Sequence, residues 1–230
     1  PPRSTLFPYT TLFRSGVVET IRLIRERLPG VPVILGGVYA TLCADHACRF
    51  SGADHVITHD GVPAILDLLE DMWGDPPEYV PDPDDLDSLP YPCFDLVPDL
   101  RYVCIRASRG CPCSCTYCAS GYLCGRLRLR DPVKVASEIA YWNREHKVSD
   151  FAFYDDALLT PRDHACRLLE EIIDRVPGVR FHCPNGLHAR QITQEMADLM
   201  RRAGFSTIRL GLESSRSEER RVGKECRSRW

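Results

Sequence analysis

Arg101-Tyr-Val-Cys-Ile-Arg-Ala-Ser-Arg-Gly-Cys111-Pro-Cys113-Ser-Cys115-Thr-Tyr-Cys118 is a strand-like run that ends in a cysteine loop. Residues Tyr102–Ala107 are strand-like. Cys111, Cys115 and Cys118 then follow with the spacing Cys-x3-Cys-x2-Cys. Three thiolates on one short loop can converge on a single inorganic centre. No fourth cysteine falls at the next ferredoxin spacing, so a cubane iron–sulfur cluster held here keeps one iron without a protein ligand. Such an iron can bind a substrate, whereas a fully ligated cluster only passes electrons.

Downstream, the chain alternates strands and helices. Asp131-Pro132 reads as an N-cap with proline at the first helical position, opening a helix to about Glu145 with Val135, Ile139 and Trp142 on one face. Phe151–Tyr154 is the next strand. Thr160-Pro-Arg-Asp163 resembles a capping box before a helix whose Ala165, Leu168, Leu169, Ile172, Ile173 and Val176 face inward. Val179–Cys183 is a third strand. Thr193 caps a helix that ends at Gly204, and Thr207–Leu210 is the fourth strand. Four βα-type units in succession suit a parallel barrel, open or closed, whose site is built from loops at the C-terminal strand ends. Those ends carry the cysteine loop, then Asp155 and Asp156, then Asn185-Gly186, then Gly211-Leu-Glu213-Ser. All four rims deliver polar or ligating groups.

Upstream of the cysteine strand, Asp75–Leu100 holds seven prolines among aspartates, which forbids helix and favours an extended, semi-rigid connection. Before it, Gly16–Leu28 is an amphipathic helix stopped by Pro29-Gly30, and Val31–Leu35 reads as a buried parallel strand followed by Gly36-Gly37. A helix over about Ala40–Phe50, a strand His55–Thr58 and a helix Pro63–Met72 complete what reads as the second half of a doubly wound α/β domain.

The two ends stand apart. Residues 1–15 and 216–230 can be encoded by complementary strands: Trp230 as TGG returns CCA for Pro1, and the pairing runs unbroken to Arg216 against Ser15. They are expected to be read-through of a sequencing adaptor on a fragment of a longer gene. The tails hold more basic than acidic residues, so the remainder is more acidic than the net charge of −3. A nucleic-acid role read from the basic C-terminus is therefore excluded, and no apolar run reaches the roughly 18 residues that span a bilayer. Clustered thiols in a metal-type spacing suit a reducing cytoplasm.

With Ser108-Arg-Gly-Cys-Pro, the Cys-x2-Cys pair and Tyr117 beside Cys118, the chain resembles the radical S-adenosylmethionine (radical SAM) superfamily over about 101–215. The resemblance implies a 4Fe–4S cluster on Cys111, Cys115 and Cys118. It also implies S-adenosylmethionine on the open iron, Tyr117 beside its adenine, and cofactor contacts from Asp155, Asp156, Asn185 and Glu213. The segment before it is similar to the end of a cobalamin-binding domain of that superfamily's cobalamin-dependent branch, where Gly36 and Gly37 let the backbone approach the corrin or its nucleotide tail. His46, His55 and His59 are not its lower ligand. The expected organisation is a tail at 1–15, a partial Rossmann-like cobalamin-binding domain at 16–74, a linker at 75–100, the first four βα units of a partial (β/α) barrel at 101–215 and a second tail at 216–230. The implied activity is reductive cleavage of S-adenosylmethionine followed by methyl transfer or rearrangement. Its partners would be a small-molecule or peptide substrate and an electron donor such as flavodoxin or ferredoxin, with no nucleic acid and no membrane. The alternative is a non-catalytic iron–sulfur or zinc module. Cys113 is read as a spectator thiol, and Cys43, Cys48, Cys104, Cys166 and Cys183 as small apolar fillers.

Overall fold

The computed structural model describes residues 8–74, 76–115 and 117–211. It divides into two compact units, Pro1–Val80 and Pro81–Trp230, whose cores are built separately.

In the second unit, apolar residues alternate along each strand and so lie on one face of the sheet. Val103 and Ile105 on β3 (Val103–Ile105), Phe151 and Phe153 on β6 (Asp150–Phe153), and Phe181 on β7 (Arg180–His182) are all buried, and Cys183 continues that row. With β8 (Phe205–Thr207), these strands form a parallel sheet in the order β3-β6-β7-β8. Val103 pairs with Phe151, and Phe151 with Phe181. Neighbours in sequence are neighbours in the sheet, as along the wall of a barrel. Three helices cover the buried face: α6 (Pro132–His146), α7 (Arg162–Arg175) and α8 (Gln194–Ala203). They contribute Val135, Ile139 and Trp142, then Leu168, Leu169 and Ile172, then Met196 and Met200 to one core. Each fully buried side chain of this size contributes roughly 1.5–3 kcal/mol. The opposite face carries Tyr102, Tyr154, His182 and Thr207 around a hollow of about 470 Å³.

The caps follow the sequence. Asp131 accepts from the Val133 N–H at 2.8 Å, and Thr193 accepts from that of Met196 at 3.3 Å. Gly204 closes α8 at φ +98, where a Cβ would lie 2.3 Å from the Val179 carbonyl oxygen, so only glycine fits. Thr160 does not cap α7: that helix starts at Arg162, Pro161 is its N-cap with no side-chain bond, and Thr160 is buried. The fourth strand lies earlier than expected, at Phe205–Thr207, with Leu210 bridged to Leu187. Three complete βα units and the fourth strand are described.

Unforeseen elements follow the first strand. β4 (Ser108–Arg109) pairs antiparallel with β5 (Arg128–Leu129), enclosing the short α5 (Ser120–Cys124). The expected extended linker is also more structured than its proline content suggests. Its later part belongs to the second unit, with single 3-10 turns at Leu86–Ser88 and Phe94–Leu96. Asp87 pairs with Arg130 at 2.8 Å, which also pairs with Glu138 at 2.7 Å. Phe94 meets Trp142 edge-on at 5.7 Å. Proline density excludes helix here, but it does not exclude packing.

In the first unit, β1 (Ile34–Leu35) and β2 (His55–Val56) pair in parallel, as a βαβ crossover requires. The single helix expected over 40–50 is two, α2 (Gly37–Leu42) and α3 (Ala44–Phe50), broken at Cys43 with φ −134 and ψ 44. α4 spans Gly61–Trp73 and ends on Gly74 in the left-handed region. α1 runs Pro8–Arg27, so it starts inside the segment expected to be a tail. There Arg14 donates to the Cys43 sulfur at 3.0 Å. Residues 1–7 and 216–230 lie outside the described residues. Among the described residues no helix is long and apolar enough to cross a membrane.

Candidate functional site

The cysteine loop leaves β4 through a glycine that nothing else can replace. Gly110 sits at φ +90, and a Cβ there would lie 2.9 Å from the Arg126 carbonyl oxygen on the strand-forming return of the loop. Both the dihedral and the close approach exclude a side chain. The loop then turns back at Cys118, whose N–H donates to the Cys115 carbonyl at 3.1 Å. The Ser120 N–H approaches the Cys118 sulfur at 3.4 Å.

Beneath the loop lies Asp155. Its carboxylate accepts from the Ser108 hydroxyl at 2.6 Å and from the Ala107 N–H at 3.0 Å. Asp155 is buried, and burial pushes its carboxyl up to about 6, while the bonds from Ser108 and the Ala107 and Ser108 backbone pull it down. It ties the end of β6 to the start of the cysteine loop. Its neighbour Asp156 points the other way, into the open, and accepts from Ser120 at 3.3 Å. Asn185, after β7, donates to the backbone carbonyls of Tyr154 at 3.2 Å and Asp155 at 3.3 Å. Three strand ends are thereby laced together.

These loops enclose a cleft of about 770 Å³, within the roughly 300–1,000 Å³ typical of small-molecule sites. Cys111, Cys115, Cys118, Tyr117, Asp156 and Asn185 all line it. Asp155 does not line it. Tyr117 is exposed at the edge of the cleft, and its ring offers an aromatic face of the kind that stacks on planar groups. Glu213 falls outside the described residues. Gly36 and Gly37 belong to the first unit, where Gly37 opens α2 at φ +85.

Sequence reasoning missed several groups on the rim, namely Ser120, Thr160, His188, Arg190 and Gln191. The signal for the last three was present, because they follow Asn185 in the loop after β7. His188 brings its Nε2 to 3.8 Å from the Cys113 sulfur. Among the described residues, one set of metal-ligating atoms gathers within 4.8 Å, and it comprises Cys111, Cys113 and His188. Cys115 and Cys118 share the cleft but not that tight group. A cubane carries its protein thiolates on separate irons, so wider spacing of those sulfurs is compatible with it. Cys183 behaves as a filler: it is buried, and burial, with Asp155 nearby, pushes its thiol up to about 12.

The sequence profile described as the Radical SAM superfamily matches residues 105–230. The anaerobic magnesium-protoporphyrin IX monomethyl ester cyclase of Rubrivivax gelatinosus is 22% identical, over 86% of this chain and 41% of its own length. The cytidylyl-2-hydroxyethylphosphonate methyltransferase of Streptomyces wedmorensis is 26% identical, over 56% of this chain and 27% of its own. Among solved structures, the radical S-adenosylmethionine methyltransferase TsrM of Kitasatospora setae, with tryptophan substrate and a SAM analogue bound, superposes with a TM-score of 0.70. That match has 18% identity and covers 90% of this chain and 46% of that one. The same enzyme with cobalamin and a [4Fe-4S] cluster bound gives 0.67. The chain spans less than half the length of each of these proteins.

Proposed function

The chain belongs to the radical SAM superfamily, and from that premise we propose that its cleft holds a 4Fe–4S cluster on Cys111, Cys115 and Cys118 with S-adenosylmethionine against it. The observation that carries this reading is the meeting of the three cysteines with Tyr117, Asp156 and Asn185 in one cleft at the C-terminal strand ends. The donor set fits the group: three thiolates for four irons leave one iron for an amino-acid chelate. When bound, such a centre supplies the electron that cleaves the sulfonium and starts 5′-deoxyadenosyl radical chemistry.

The chain's own residues do the positioning. Asp156 offers a carboxylate to the cofactor's ammonium group. Asn185 holds the β6 and β7 rims at a fixed separation through its two backbone bonds. Asp155, one layer down, anchors the start of the cysteine loop. Tyr117 supplies an apolar face to the adenine. Glu213, which follows the fourth strand in the sequence, belongs to the same proposed cofactor set.

The first unit is read as the second half of a cobalamin-binding domain. Its parallel β1–β2 pair, with Gly36 and Gly37 leading from β1 into α2, supports that reading. So does the likeness to a cobalamin-bound methyltransferase over 90% of this chain. The whole protein's reaction is accordingly proposed as radical methylation or rearrangement of an unactivated carbon, with flavodoxin or ferredoxin as electron donor.

Anaerobic reconstitution with iron and sulfide tests the ligand set. The expected result is about four irons per chain, lost when Cys111, Cys115 or Cys118 is replaced by alanine and retained in Cys113→Ala. A Cys113→Ala protein that loses the cluster as completely as the other three would overturn the assignment.

A further inference from the structure

We propose that Cys111, Cys113 and His188 form a mononuclear site for a thiophilic divalent cation, occupied as an alternative to the cluster. The proposal rests on distances and donor chemistry and does not depend on the cluster being present. The two sulfurs and one imidazole nitrogen all lie within 4.8 Å of one another, and the Cys113 sulfur is 3.8 Å from His188 Nε2. Around a tetrahedral ion with metal–sulfur bonds of about 2.3 Å and metal–nitrogen bonds of about 2.0–2.1 Å, the sulfur–nitrogen edge is about 3.6 Å. One edge of the tetrahedron is therefore in place to within a few tenths of an ångström.

Both donor segments are tethered. Pro112 stands between the two cysteines, and its fixed φ limits how far they can separate. His188 comes from the loop after β7, 75 residues away in sequence. Its neighbour Leu187 is held by the sheet, its N–H donating to the Arg209 carbonyl at 2.8 Å and its carbonyl accepting from Gly211 at 3.4 Å. A 3-10 turn at Ala189–Gln191 starts directly after His188. Two thiolates and an imidazole select zinc, ferrous iron or cobalt over magnesium or calcium. Three protein ligands leave a fourth position open to water.

Cys111 cannot serve both centres. A mononuclear ion on Cys111, Cys113 and His188 removes one of the three thiolates that the cluster requires, so the two occupancies exclude each other. Cys113 then has a role that the Cys-x3-Cys-x2-Cys spacing does not reveal: with His188 it supplies two of the three ligands of the alternative metal state.

Cobalt(II) is the probe. The reduced, iron-free chain is titrated under argon and read by absorbance. The expected result is about one ion per chain, with thiolate-to-cobalt charge transfer and the intense visible bands of tetrahedral cobalt. Cys113→Ser and His188→Gln should each weaken binding at least tenfold, since even outer-sphere partners are commonly worth that much. Cys118→Ala should leave the titration unchanged. Loading zinc first should slow cluster reconstitution in the parent chain, and Cys113→Ser should relieve that inhibition. Absence of cobalt binding, or a loss in Cys118→Ala equal to that in Cys113→Ser, would overturn the proposal. Failure of the parent chain to take up a cluster would sink the cluster reading instead and leave the cobalt result standing.

Discussion

Asp155 and Asp156 form a single acidic pair in the sequence, but they have different roles in the fold. Successive residues leaving a strand point to opposite sides, so one carboxylate faces the cleft and the other turns beneath the cysteine loop. That division was available from the alternation of Phe151–Tyr154 but hidden by reading the two aspartates as one motif. Removing the buried one should be costly. Asp155→Ala leaves the Ser108 hydroxyl and Ala107 N–H without their acceptor, and a loss of about 2–3 kcal/mol in urea unfolding is expected. The pH dependence has a definite sign. Burial holds the folded carboxyl near 6, above its unfolded value, so the protonated form is favoured by folding. The stabilising contribution is full below about pH 4 and is lost as pH rises through about 6. Asp155→Asn should flatten that part of the stability profile. A profile that stays parallel to the parent between pH 4 and 7 would show that Asp155 does not titrate there.

At the scale of elements, helices with strong caps were legible and segments defined by tertiary partners were not. Asp131-Pro132 and Thr193 mark α6 and α8 because a cap is a local bond between residues two or three apart. Leu86–Ser88 is fixed instead by Asp87, which accepts from Arg130 and from the Asp131 N–H at 2.6 Å, partners more than forty positions away. No local pattern announces that. The three side chains are nearly enclosed, with Arg130 at 12%, Asp87 at 6% and Glu138 at 4% exposure. Burial alone would lower the Arg130 guanidinium, but the two carboxylates more than offset it and raise it overall. Taking one partner from such a group costs about 3–5 kcal/mol. Asp87→Ala should therefore lower the denaturation midpoint of the second unit clearly. Glu78→Ala, in the first unit, should leave that midpoint unchanged. Equal midpoints for Asp87→Ala and the parent would show that the linker is merely draped over α6.

For the whole molecule, the strand order β3-β6-β7-β8 explains why the site could be anticipated from sequence. When strands run parallel and neighbours in sequence are neighbours in the sheet, every strand-to-helix loop opens on the same rim. The cysteines, Asp156 and Asn185 meet for that reason, although Cys111 and Asn185 are 74 residues apart. What the sequence did not reveal was lateral packing. The Gly110 crossing against Arg126 and the approach of His188 to Cys113 depend on how segments apart in sequence lie beside one another, which no spacing encodes.

On the proposed reading, this rim brings S-adenosylmethionine against a cluster on Cys111, Cys115 and Cys118. The electron paramagnetic resonance spectrum of the reconstituted, reduced chain, recorded with and without S-adenosylmethionine, tests it most directly, because it needs only the local ligands and no turnover. The expected result is a changed cluster signal on addition of the cofactor, requiring a higher cofactor concentration in Asp156→Ala. A loaded, reduced cluster whose spectrum is the same with saturating S-adenosylmethionine would contradict it.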